Sequence, residues 1–337
     1  MTGFWADAAA ASLGWPSVRV EPLTGSTAGE RVVRVRAGAE SAVLKRFDVA
    51  DLGLARLAGR LPDAPFARVV GESPPHRVLA FTDLGTGTLD QRYGDHPAGR
   101  RAAAEHYVRA VRAACAALAV LGTPPPVAPH VSLSAFLGFA ALTPSARDLA
   151  TPTGQLATIA GHTRVEPPPA PALAAARRAD ADLAGRLAGQ RDRRRWILQD
   201  VNPSNLVLTE DGAARWVDVL PTAGLPETSL LALPGSHFRL DEPAMLDVLA
   251  AAGDVADPVL LRTLNGLYSV FTLCDTVCGL ADGSRDGLVH SGLDYRDNEK
   301  FSLGLAAELL AGGLAEATGY LRFVEWLAAT PPTRGPA

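Results

Sequence analysis

Between positions 198 and 218 the chain reads Leu198-Gln199-Asp200-Val201-Asn202-Pro203-Ser204-Asn205 and then, after two short apolar segments, Val217-Asp218-Val219. No other stretch restricts the possible fold as tightly. The acid at 200 is followed by a carboxamide five residues later and a second acid thirteen beyond that. This spacing suits a phosphoryl-transfer centre. There, one acid orients or deprotonates an acceptor hydroxyl, while the carboxamide and the second acid hold Mg²⁺ on nucleotide phosphates. Trp196-Ile197-Leu198 predicts a strand that delivers Asp200 to a loop bent by Pro203-Ser204. Leu206-Val207-Leu208-Thr209, Glu210-Asp211-Gly212 and Arg215-Trp216-Val217-Asp218 predict a β-hairpin with a glycine in its turn. Its register would bring Asn205 and Asp218 to one edge, as a shared metal requires. The competing reading is an Asx-turn pair, Asp200 with Asn205, that only holds a loop.

The N-terminal part supplies a second half to this pattern. Val18 to Leu23 and Arg31 to Arg36 alternate as half-exposed strands do, and they flank the small-residue loop Thr24-Gly25-Ser26-Thr27-Ala28-Gly29-Glu30. Backbone N–H groups in such a loop can approach phosphate oxygens, because small side chains leave room. Ala37 to Glu40 turns the chain into Ala42-Val43-Leu44-Lys45-Arg46-Phe47. Lys45 and Lys300 are the only lysines in a chain that otherwise uses arginine. A compact point charge on that strand suits α/β-phosphates; the alternative is an exposed lysine without a role.

With 337 residues, 47% apolar and 20% charged, the chain has ample length for two modest domains or one enzyme of two lobes. No uninterrupted apolar run reaches membrane-spanning length, and the first residues lack the basic start and apolar core of a secretion signal. Three cysteines are too few for a disulfide framework. Cys274 and Cys278 read as core thiols in a reducing cytoplasm, without the His/Cys cluster of a metal site. Residues 201–337 hold 18 acids and 8 bases, net −10, which leaves +6 for residues 1–200 of a chain at −4. That imbalance is either a solvated acidic surface or an acidic half that attracts a cationic acceptor. Arg191 to Arg195 reads as the solvated end of a helix rather than a nucleic-acid patch, since no aromatic residues interleave it.

Helices are predicted over 4–13, 51–61, 98–121, 171–189, 242–252, 258–281, 299–311 and 314–329. Further strands are predicted at 69–70 and 77–81, with a turn over 71–75 between them. Thr82-Asp83-Leu84-Gly85-Thr86-Gly87 reads as a connector between a small sheet-rich lobe, residues 1–85, and a larger helical one, residues 86–337. The stretch 122–170, rich in proline and threonine, reads as irregular, and no internal repeat is present.

With Lys45, Asp200, Asn205 and Asp218 in this order, the chain resembles the aminoglycoside phosphotransferase family. Residues 15–90 and 196–218 carry the resemblance. Leu198 to Leu208 is similar to that family's His-Gly-Asp-x-x-x-x-Asn loop, and Arg77 to Gly85 to its hinge strand. The resemblance implies an α+β, bilobal protein-kinase-like fold with a small β-rich N-lobe and a larger, mainly helical C-lobe. It implies ATP (with GTP as an alternative) and Mg²⁺. Gly25, Ser26 and Thr27 would cover the phosphates, and Lys45 would bind them. The backbone of Thr82, Asp83 and Leu84 would meet adenine. Asp200 would act on the acceptor hydroxyl, and Asn205 and Asp218 would hold the metal.

Leu198 and Gln199 stand where the family has histidine and glycine, and Val219 to Thr222 lacks its Trp-Glu continuation. No glutamate clearly matches the usual partner of the strand lysine, Asp51 being the nearest acid. The expected activity is ATP-dependent phosphorylation of a small-molecule hydroxyl, an antibiotic or natural-product intermediate of aminoglycoside type, in the cytoplasm. Alternatives are a kinase of Ser/Thr hydroxyls in a ribosomal peptide and a nucleotide-binding pseudokinase scaffold. No nucleic-acid or membrane partner is expected, and the sequence leaves the oligomeric state open. Asp241, Glu242, Asp275, Asp282, His237 and His290 are candidates for the acceptor pocket, each with a surface or structural role as the alternative.

Overall fold

The alternating strands of the N-terminal part form a five-stranded antiparallel sheet in the computed structural model of the chain. The structure describes residues 2–23, 31–85, 87–93, 97–124, 151–198, 201–209, 212–217, 220–230, 238, 240, 244, 247–249, 257–281 and 295–333. The sheet holds β1 (Arg19–Pro22), β2 (Val32–Ala37), β3 (Glu40–Arg46), β4 (Val69–Ser73) and β5 (Val78–Thr82), in the spatial order β1-β2-β3-β5-β4. Strand period two assigns its faces. Val33, Val35, Ala42, Leu44, Val78 and Ala80 pack under helix α1 (Thr2–Leu13) through Trp5, Ala8 and Ala9. Leu79 and Phe81 point to the other face, where Phe47, Ala67 and Ala55 of helix α2 (Val49–Ala58) bury them. The turn expected over 71–75 starts later. β4 continues to Ser73, a 3₁₀ turn covers Pro74–His76, and Arg77 takes a left-handed φ of 54°.

A short helix α3 (Leu89–Tyr93) and the long α4 (Pro97–Leu118) follow. The next described helix, α5 (Pro152–Thr163), lies inside the stretch read from sequence as irregular. Its start is chemically ordinary. The Thr151 side chain accepts a hydrogen bond from Gly154 N at 3.1 Å, and Pro152 fills the first turn, where a missing N–H costs nothing. Helices α6 (Ala170–Ala188), α7 (Pro258–Ala281), α8 (Tyr295–Ala311) and α9 (Thr318–Ala329) match the remaining predictions within a few residues. The helix expected over 242–252 falls largely outside the described residues.

By length and composition α7 is apolar enough to cross a membrane, yet 72% of its most apolar stretch is buried within the protein. It is the central core helix, packed by Leu260, Leu264, Phe271, Cys274 and Cys278 against the surrounding helices. Its polar side chains bond back to their own backbone. Asn265 Nδ2 donates to Leu261 O at 2.9 Å, and Ser269 Oγ to Asn265 O at 3.0 Å. Both cysteines are free thiols, as read from sequence.

Two helices meet closely at Gly319, where a Cβ would lie 2.2 Å from the carbonyl oxygen of Ala175 and 3.0 Å from Ala179 Cβ. The obstacle is backbone, so it cannot rotate away. Gly319→Ala is therefore expected to push α9 off α6 and to cost about 1–3 kcal/mol. The midpoint of denaturant unfolding measures it.

Two compact units divide the described chain: Met1–Arg92 with Ala110–Leu121 and Asn202–Pro221, and the remainder. The segment after Asp200 thus belongs with the N-terminal sheet. Within that first unit β7 (Leu206–Leu208) and β8 (Ala214–Trp216) form the expected hairpin. The hairpin is tied in on three sides. Trp216 N donates to Pro65 O and Ala67 N to Trp216 O, at 2.9 and 2.8 Å, and Leu208 N donates to Gly87 O at 3.1 Å. The fully buried Trp216 indole donates to Ala110 O at 3.2 Å.

Candidate active site

Residues on paired antiparallel positions share a face, so the sheet register locates the lysine. Lys45 lies opposite Val32 on one side and Leu79 on the other, while Arg34 lies opposite Val43, which lies opposite Phe81. Lys45, Arg34 and Phe81 therefore share the α2 face, and Asp83, two residues beyond Phe81, continues it. The Lys45 ammonium sits 5.1 Å from the centroid of the Phe47 ring, within cation–π range. Helix α2 offers Asp51 in its first turn. It is anchored by ion pairs of Arg56 and the neighbouring Arg60 to Glu72 on β4, at 2.7 and 3.2 Å.

The expected nucleobase segment is held by side chains that sequence reasoning left unassigned. Thr82 N donates to Arg68 O at 2.9 Å and Thr82 Oγ1 accepts from Arg68 N at 3.1 Å, so that amide is already committed. The Asp83 carboxylate faces Arg34 on two points, with Nη2 donating to Oδ1 at 3.0 Å and Nε 2.7 Å from Oδ2. The same Oδ1 accepts from Gly85 N at 3.0 Å, and Arg34 Nη2 also donates to Gly85 O at 3.1 Å. Gly85 adopts φ 82°, a conformation that needs glycine. Leu84 packs against the Phe47 cluster.

Burial works against the Asp83 charge, but hydrogen bonds from Arg34, Gly85 and Ser41 outweigh it and hold the carboxyl below its usual value of 3.8. A depressed acid stabilises the fold above its unfolded pKa, and that stabilisation is lost as pH falls through the folded value. This lock is accordingly closed at neutral pH and opens only in strong acid.

On the hairpin side, the 3₁₀ turn Pro203–Asn205 is braced by Asn202, whose Oδ1 accepts from Ser204 N at 3.0 Å and Ser204 Oγ at 2.8 Å. Asn202 thus makes an Asx-type brace within this loop. The Asn202-Pro203 pair was the available signal, since a capping residue before proline marks such a turn. Asn205 O accepts from Val217 N at 2.9 Å, which places Asn205 across from the residue just before Asp218. Its carboxamide offers the hard oxygen ligand that Mg²⁺ prefers, and such ions take few ligands from protein. Gly25, Ser26, Thr27, Asp200 and Asp218 lie outside the described residues. So do Asp241, Glu242, Asp282, His237 and His290, while Asp275 is half-buried on α7.

The second unit shows what precedes Asp200. Strand β6 (Arg195–Leu198) pairs with β9 (Pro221–Gly224), so the strand entering the acid loop pairs with the segment beginning three residues after Asp218. Arg193 bonds Glu227, which is 3% exposed, and Arg194 bonds the carbonyl oxygen of Ala223. A Cβ on Gly224 would fall 2.4 Å from Ile197 Cδ1. The reading of Arg191–Arg195 as a solvated helix end is thereby corrected, because two of these guanidiniums hold the β6 region to the β9 region. Leu198, which the sequence comparison set against a histidine, is buried at 2% exposure.

No protein-family model matches the sequence, and neither does any curated protein. Solved structures do match. Choline kinase LicA from Streptococcus pneumoniae superposes with a TM-score of 0.52 at 12% identity, over 98% of this chain and 99% of that one. A choline/ethanolamine kinase family protein from Mesorhizobium loti gives 0.51 at 15% identity, over 93% of this chain and 94% of that one. An aminoglycoside-3'-phosphotransferase of type VIII gives 0.46 at 18% identity, over 77% and 94%. The first two establish the architecture: the α+β, kinase-like fold expected from the sequence is the fold this chain has.

Proposed function

We propose that the protein is a phosphotransferase that moves the γ-phosphate of ATP to a hydroxyl of a small molecule. The observation behind this reading is the placement of Lys45 on the same sheet face as the Arg34–Asp83 lock, with Asn205 hydrogen-bonded to the residue preceding Asp218. In this proposal Lys45 neutralises the α/β-phosphates, and Asn205 with Asp218 holds the divalent ion. Asp200 accepts the proton of the attacking hydroxyl late in the reaction, for which an ordinary carboxylate suffices. Mg²⁺, when bound, supplies neutralisation of charge on the phosphate oxygens.

The acceptor is proposed to be cationic. Residues 201–337 carry a net −10, a field that attracts an amino sugar or another charged alcohol. Choline, for which the similar kinase LicA is named, is an alcohol of that kind. The test is incubation with Mg²⁺ and ATP and a panel of aminoglycosides, choline, nucleosides and serine-rich peptides, read by mass spectrometry for one added phosphate. Transfer to a cationic alcohol is expected. Nucleotide binding without transfer to any panel member would sink the activity, and transfer to the peptides alone would sink the acceptor class.

A further inference from the structure

We infer that Arg34 is a positioning residue for the nucleotide: through Asp83 it fixes the phosphate-covering strand pair to the connector that meets the base. The inference rests on the ATP-dependent reading above. Arg34 lies on β2, the strand that leaves the small-residue loop, and its partner lies 49 residues on, at the end of β5. Its side chain is 12% exposed and that of Asp83 is 6%, so both charges are withdrawn from water on the lysine-bearing face. A withdrawn pair of this kind needs good geometry to offset its desolvation, and here Arg34 Nη2 donates to the carboxylate and to Gly85 O while Nε lies at ion-pair distance from the other carboxylate oxygen.

The consequence is a turn locked from both ends. Asp83 Oδ1 holds the Gly85 amide, and Arg34 holds both Asp83 and the Gly85 carbonyl. The backbone groups of residues 83–85 are therefore arranged before any nucleotide arrives, and the strand that carries the phosphate cover is arranged with them. Preorganisation of this kind lowers the ordering cost of binding. It leaves the chemical step untouched, because Arg34 is committed to Asp83 and to Gly85 rather than to the transferred phosphate. Arginine suits this geometry, since its extended guanidinium reaches both Asp83 and Gly85 O while a lysine ammonium is a compact point charge.

Three variants, Arg34→Gln, Arg34→Lys and Asp83→Asn, test the inference in the full chain. Affinity for a fluorescent ATP analogue with Mg²⁺, kcat and KM for ATP, and amide exchange at Leu84 and Gly85 without nucleotide are the readouts. For Arg34→Gln and Asp83→Asn the expected result is affinity weakened about tenfold, the scale of one lost charge-assisted hydrogen bond. KM should rise in parallel, kcat should hold within about twofold, and exchange at Gly85 should be faster. Arg34→Lys should fall between these and the parent, which excludes a simple requirement for positive charge. Unchanged affinity in folded Arg34→Gln and Asp83→Asn overturns the inference, and so does a fall in kcat at constant KM. A parent protein that binds no ATP would remove the functional reading instead. Exchange at Gly85 then still reports whether Arg34 locks the turn.

Discussion

Arg164→Ala is expected to destabilise the helical unit by about 3–5 kcal/mol, the cost of leaving a buried charge without its partner. Arg164 and Glu299 are 2% and 3% exposed and meet at 2.8 Å. They join the residue following α5 to the first turns of α8. The guanidinium also donates to Leu327 O near the end of α9, at 2.7 Å, and to Thr163 Oγ1 at 2.7 Å. Truncation would strip Leu327 O of this donor and leave the Glu299 carboxylate in a dry interior. Tyr295 is part of the same cluster. Burial pushes its phenol up and the Glu299 carboxylate adds to the shift, so it remains protonated. For a unit of this size the loss corresponds to a fall in Tm of roughly 6–20 °C. The paired change Arg164→Met with Glu299→Leu removes both charges and is expected to recover most of the loss. Thermal unfolding followed by circular dichroism separates the two. A single variant as stable as the parent would show the pair to be hydrated, and a double variant no better than the single would assign the loss to packing.

Such pairs mark where sequence reading stops. Periodicity reached α6 and α7 because their buried positions recur at helical spacing within one segment. Alternation reached β2 and β3 for the same reason. The hairpin with Asn205 at its edge was legible from one glycine turn between two apolar runs. Arg34, by contrast, looked like one more exposed residue of an alternating strand, because its partner is 49 residues away and only the sheet register brings them together. Arg193 met the same difficulty, with Glu227 34 residues on. A charged residue advertises no partner in its own neighbourhood, whereas an apolar one advertises its face through its neighbours. Helix α5 failed for a local reason. It lies in a stretch rich in proline and threonine, although at the first helical turn Pro152 is a start signal and Thr151 before it is a capping residue. At the site, the lysine, the connector and the carboxamide could be compared with their expected places, while the two acids and the phosphate loop lie outside the described residues.

Asp200→Asn is expected to lower kcat by about 10²–10⁴-fold, the usual contribution of a positioned general base. The amide keeps the shape of the side chain and loses only its ability to take a proton, so affinity for ATP should stay within about twofold. Asp218→Asn should behave differently, because in the proposed function its charge serves the metal rather than the acceptor hydroxyl. Its expected signature is a higher Mg²⁺ requirement and a smaller stabilisation by ATP with Mg²⁺ over ATP alone, with kcat recovering in part as Mg²⁺ is raised. Asn205→Ala should follow Asp218→Asn, since the proposed function has both residues hold one ion and Asn205 O bonds Val217 N, the residue before Asp218. The three variants therefore sort into two classes, one blind to Mg²⁺ and one dependent on it. Thermal stabilisation by nucleotide and steady-state kinetics across a Mg²⁺ series distinguish them. If Asp200→Asn turned over at the parent rate, or if all three variants lost ATP binding alike, the division of labour among these residues would be wrong. The loop from Asp200 to Asn205 would then be a structural turn. Asn202 contributes to that turn through its bonds to Ser204 at 3.0 and 2.8 Å.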